Sequence, residues 1–101
     1  GRSISGYYRF VAGGIAGEMW VIGWPEATVT VLIDTLTLPD VATCAFRMET
    51  VSEDNIVEGF SQAAPECRVS VRFEGRAASV ASSNCAAICV LNGRIDGTYR
   101  R

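Results

Sequence analysis

Cys67-Arg68-Val69-Ser70-Val71-Arg72-Phe73, followed by Glu74-Gly75, is the stretch that decides how this chain folds. Cys67, Val69, Val71 and Phe73 fall on one face of an extended chain, and Arg68, Ser70 and Arg72 fall on the other. Successive side chains of a strand point to opposite sides, so this is an antiparallel strand with one face in a core and one in water. Glu74-Gly75 reads as a turn, and Ala77 to Ala81 as the strand that returns.

The same pattern extends in both directions. Cys44-Ala45-Phe46-Arg47-Met48-Glu49 alternates with Cys44, Phe46 and Met48 inward. Ser52 to Asn55 turns the chain, Ile56 to Phe60 returns, and Pro65-Glu66 turns it again. Upstream, Gly6 to Val11 is an aromatic-rich run, and Glu18 to Trp24 follows a turn region containing Gly13, Gly14 and Gly17. Thr28 to Thr37 is the longest β-branched run and ends at Pro39-Asp40. Thr98 to Arg100 makes a last short strand. The expectation is a single all-β domain over residues 1–101, an antiparallel barrel or sandwich of about eight strands. The echo of Gly6-Tyr7-Tyr8-Arg9 in Gly97-Thr98-Tyr99-Arg100 suggests that first and last strands meet and seal an edge. Most of the aromatic residues are expected in the core, with Trp24 beside Pro25 a candidate rim anchor.

Ser82 to Asn92 does not alternate. Ala86-Ala87-Ile88, between two cysteines, favours a helical turn with Asn84 as N-cap and Gly93 as its stop. Four cysteines, Cys44, Cys67, Cys85 and Cys89, and no histidine argue for two disulfides rather than zinc. Tracing the hairpins up and down puts all four at one end of the sheet. Cys67 and Cys85 fall on neighbouring strands of one hairpin, which favours Cys67–Cys85 with Cys44–Cys89. The pairing Cys44–Cys85 with Cys67–Cys89 stays open. Disulfides point to the periplasm or to secretion, with a leader removed from the mature chain.

Composition narrows the function. A formal net charge of -2 and a pI near 5.0 lack the basic footprint that nucleic acid requires. No apolar run approaches the ~20 residues of a membrane-spanning helix. All basic residues are arginine, whose planar fork suits carboxylates. Without histidine, Ser-His and Cys-His catalysis are excluded. Glu53 and Asp54 are adjacent and point apart on a strand, which makes them a solvated turn rather than a catalytic pair. Gly13-Gly14 precedes a strand rather than a helix, so it is not a phosphate loop. The chain reads as a rigid scaffold whose loops bind something: not an enzyme, and with no cofactor or metal.

Cys85-x-x-x-Cys89, Gly93 and Asp96-Gly97-Thr98-Tyr99-Arg100, with the opening Ser5-Gly6-Tyr7-Tyr8 and the cysteine-led strands at Cys44 and Cys67 to Gly75, resemble a group of small bacterial envelope proteins. The group is similar to the periplasmic inhibitors of c-type lysozyme, most specifically the Brucella type. The resemblance implies a barrel-like fold that inserts a loop into the cleft of the host enzyme. The inhibitors' internal Ser-Gly-x-x-Tyr loop has its nearest counterpart at Ser5-Gly6-Tyr7-Tyr8-Arg9, at the N-terminal edge and with Arg at the fifth position. An acidic inhibitor is steered toward a basic enzyme, and a protruding Arg or Ser can bond its catalytic carboxylates. Candidate contacts are Ser5; the loop Gly13 to Glu18 with Gly14 and Glu18; Glu53 to Asn55; Arg76; the loop of Ser82, Ser83 and Asn84; and Arg94 with Asp96. The alternatives are a small-ligand-binding barrel and an envelope domain that docks to other proteins or to itself as a homodimer.

Overall fold

The computed structural model describes residues 4–23 and 27–101. Trp24 and Pro25 lie outside the described residues. Eight strands, β1 (Gly6–Ala12), β2 (Ile15–Gly23), β3 (Thr28–Thr37), β4 (Ala42–Val51), β5 (Ile56–Phe60), β6 (Arg68–Glu74), β7 (Ala77–Ser83) and β8 (Gly97–Arg100), form one antiparallel sheet. Its order is β4-β3-β2-β1-β8-β7-β6-β5, and it curls into a nearly closed barrel. Across the remaining gap, the amide of Gln62, just beyond β5, donates to the Arg47 carbonyl of β4 at 3.1 Å.

The alternation read from the sequence is the register of the wall. Val69, Val71 and Phe73 are buried, as are Cys44, Phe46 and Met48 on β4. Tyr8, Met19, Ile33, Ile95 and Tyr99 fill the interior, each at most 1% exposed. Three aromatics do not follow the expectation of core placement. Trp20 sits between the inward Met19 and Val21, so the two-residue period of the strand turns it outward. Tyr7 and Phe60 are exposed on the wall for the same reason.

First and last strands do meet, with Arg9 opposite Arg100. The echoed segments carry the same device. Tyr8 donates its hydroxyl to the Ile4 carbonyl at 2.8 Å, and Tyr99 donates to Ile95 at 2.7 Å. Each tyrosine thereby buries its ring and satisfies its polar tip inside its own chain segment. Tyr8 packs on Phe73 and Tyr99 on Phe10, with ring centroids 5.7 and 5.3 Å apart. Arg101 stacks over the Tyr8 ring at 5.1 Å and donates to its hydroxyl at 3.0 Å.

Several boundaries differ from the sequence reading. β2 begins at Ile15, so the first turn is only Gly13-Gly14. Both glycines have positive φ, 56° and 80°, as a tight two-residue hairpin demands. Gly17 lies inside β2 and not in a turn. A Cβ there would stand 3.0 Å from the Tyr99 ring, so the absence of a side chain is what admits the tyrosine. β7 runs on through Ser82 and Ser83, which pair with Val69 and Arg68.

The helical turn is a single 3-10 turn, Ala86–Ile88. Cys85 occupies its N-cap position and no side chain caps it. Asn84 instead takes the left-handed conformation at φ 57°, which asparagine tolerates better than most residues. The turn stops at Cys89, not at Gly93. Gly93 serves a different purpose: a Cβ there would lie 2.8 Å from the Cys44 sulfur and 3.1 Å from the Thr43 carbonyl oxygen.

Candidate functional site

In an up-and-down meander, alternate connections share an end. The β1–β2, β3–β4, β5–β6 and β7–β8 connections gather at one end, and the others at the opposite end. Both disulfides lie at the first end: Cys44–Cys89 with Cα atoms 4.0 Å apart, and Cys67–Cys85 at 4.3 Å. This is the pairing favoured by the hairpin trace. It fixes residues 84–96, the longest connection of the barrel, to the starts of two strands.

Local contacts hold that connection further. The Val90 amide donates to the Thr43 carbonyl at 2.7 Å, beside the bridge of Cys44 to Cys89. Ile88 packs against the core, and Ile95 is fully inside it. Asp96 takes two bonds from Ser82: its Oδ2 accepts from the Ser82 amide at 3.2 Å and its Oδ1 from the Ser82 hydroxyl. Arg94 is exposed on this frame, and among the described residues no side-chain hydrogen bond or ion pair engages it. Val90 and Leu91 stand out at 59% and 68% exposure, and Leu91 has φ 59°. Ser82, Leu91, Asn92, Arg94 and Asp96 line a concavity of about 480 Å³ over the disulfides. The arrangement offers a free guanidinium, a pinned carboxylate and two exposed aliphatic side chains on a covalently fixed loop.

No family model, curated protein or solved structure matches the chain. The chemistry of this end therefore rests on its own residues.

The sequence-predicted contacts divide between three places. Ser82, Ser83, Asn84, Arg94 and Asp96 come together at the disulfide end, with Gly14 in a neighbouring turn of the same end. Ser5 and Arg76 lie at the opposite end, as do Glu53 to Asn55. The Ser5 hydroxyl is engaged within the fold by Gly23, donating to its carbonyl and accepting from its amide at 3.2 Å. The Arg76 carbonyl accepts from the Arg101 amide at 3.0 Å. Glu18 is on neither end. It stands on the outer wall of β2 and accepts the Tyr7 hydroxyl at 2.7 Å, which pushes the Tyr7 pKa up.

Sequence reading missed Val90 and Leu91. Their signal is two consecutive large aliphatics after a cysteine and before Asn92-Gly93, in a segment with neither period. Among the described residues, no group of three or more His, Cys, Asp or Glu is placed to hold a metal ion. Nor is any helix long and apolar enough to cross a membrane.

Proposed function

We propose that this protein is a periplasmic or secreted inhibitor of c-type lysozyme that acts through its disulfide end. The observation that carries the reading is the loop 84–96, tied down by Cys44–Cys89 and Cys67–Cys85 while Arg94 is left exposed and unpaired. The motif that resembles the inhibitors, Cys85 to Arg100, is the segment that builds this loop. A rigid loop loses little conformational entropy on binding, which is what a tight inhibitor needs. The enzyme's cleft holds two carboxylates, and a guanidinium aimed between them makes charge-assisted bonds. Val90 and Leu91 supply apolar contact beside it, and the acidic balance of the chain favours encounter with a basic enzyme.

The ligand-binding alternative has less support. The barrel interior is filled by Tyr8, Met19, Ile33, Met48 and Tyr99, so it holds side chains rather than a guest. Disulfides fit an oxidising compartment, which agrees with the proposed location.

The test is calorimetric titration of c-type lysozyme with the protein, alone and with the cleft filled by a chitin trisaccharide. The reading predicts one-to-one binding that the trisaccharide competes away. Binding that ignores the trisaccharide would remove the cleft from the account, and no binding would remove the inhibitor.

A further inference from the structure

The outer wall of β2, β3 and β4 carries a second feature, which shares no lining residue with the concavity over the disulfides. Trp20, Ile22, Leu32, Ala45 and Ala63 floor a groove of about 580 Å³, and Asp34 stands on its rim. Trp20 and Leu32 face each other across β2 and β3, and Tyr7 lies opposite Trp20 on β1 with ring centroids 5.4 Å apart. The next outward row places Glu18 directly opposite Asp34.

Like charges directly opposite on neighbouring strands weaken a sheet. Glu18 has some relief, since Tyr7 donates to it and Arg9 is opposite it on β1. Asp34 has none: among the described residues no donor or cation engages it, and its β4 neighbour is Ala45. The one basic side chain of the groove, Arg47, is held by Glu49 at 3.1 Å. The groove thus presents an apolar aromatic floor with Asp34 on its rim, uncompensated, and Glu18 directly opposite Asp34 on β2. Outward rows on a strand are two residues, or ~7 Å, apart.

We propose that this groove docks an extended segment of a partner protein in which an apolar side chain and a Lys or Arg are two residues apart. In an extended chain those two side chains share a face at the same ~7 Å spacing as the Trp20–Leu32 and Glu18–Asp34 rows. The apolar side chain seats on Trp20 and Leu32, and the cation lies across Glu18 and Asp34. Charge complementarity selects this occupant over an acidic or neutral one. The site is independent of the lysozyme reading, which rests on the 84–96 loop and none of these residues.

The experiment is titration of the full chain, isotope-labelled, with acetyl-Ser-Leu-Ser-Lys-Ser-amide and its Glu-for-Lys counterpart, read by amide and indole NMR shifts. Saturable shifts are expected at the Trp20 indole, Leu32, Asp34 and Ala45 with the Lys peptide alone. Asp34→Asn, an exposed and conservative change, should weaken binding by about fivefold or more. Arg94→Ala should leave it unchanged. No saturable shift at Trp20, equal binding of the Glu peptide, or shifts at the Arg94 loop instead would each overturn the proposal. So would a peptide-free dimer whose dilution moves the Trp20 indole, because a second copy would then be the occupant.

Discussion

Replacing one disulfide at a time by alanine pairs tests how the loop 84–96 is held. Cross-links stabilise chiefly by shrinking the unfolded ensemble, by an amount that grows with the logarithm of the loop closed. Cys67–Cys85 closes a separation of 18 residues, and Cys44–Cys89 one of 45. The short loop is nested within the long one, so with both bridges present the outer one closes an effective loop of roughly 27 residues. Chain entropy then assigns about 3 kcal/mol to the inner bridge and about 3.5 kcal/mol to the outer. A domain of this size has ~5–15 kcal/mol in total. Each single-bridge protein should therefore fold with a lowered midpoint, and the protein lacking both should fall near or below the folding threshold. Urea unfolding followed by tryptophan fluorescence gives the free energies. A loss under about 1 kcal/mol for Cys44→Ala with Cys89→Ala would refute the reasoning, since the outer bridge would then not restrict the unfolded chain as the nested-loop argument requires.

Three other outcomes follow from named contacts. Gly97 has φ 155°, and a Cβ there would lie 2.8 Å from the Phe10 ring, so Gly97→Ala should cost about 3 kcal/mol from strain and overpacking. Gly75→Ala, at φ 58° with open space around it, should cost only about 1 kcal/mol, and urea midpoints compare the two. Burial, with a smaller effect from Asp96, pushes the Tyr99 hydroxyl well above its ordinary value. The neutral form is thus favoured by the fold: this stability is full below about pH 10 and is lost as pH rises beyond it. Unfolding free energies measured from neutral to strongly alkaline pH should show that loss, and Tyr99→Phe should remove Tyr99's share of it. Arg94→Ala should weaken lysozyme binding by about 2 kcal/mol, or roughly thirtyfold, in calorimetry while leaving the unfolding midpoint in place.

How much of this was legible in the sequence depends on which period a segment obeys. β6 and β4 alternate cleanly, so their faces, their neighbours and the end that carries the cysteines could be read directly. The hairpin trace favoured the observed disulfide pairing, because connectivity fixes which strand ends are adjacent, but it left Cys44–Cys85 with Cys67–Cys89 open. Trp20 and Tyr7 went against size and hydrophobicity because strand period, not residue type, sets the face. Gly17 looked like a turn residue, yet its missing side chain is required by Tyr99, which lies 82 positions away in sequence. No local pattern reports a long-range contact of that kind. Gly93 is the same case against Cys44. At the candidate site, Ser82, Arg94 and Asp96 were selected as polar loop residues. Their assembly depends on the Ser82–Asp96 bonds and on the two bridges, and Leu91 is exposed with a left-handed backbone. Such features are properties of the folded loop rather than of any spacing.

The central claim is met most directly by the rate at which c-type lysozyme clears a suspension of bacterial cell walls. With the oxidised protein at a small molar excess, the account predicts that clearing nearly stops, and that Arg94→Ala restores much of the rate. An unchanged rate at that ratio, with both disulfides shown intact by mass, would contradict it.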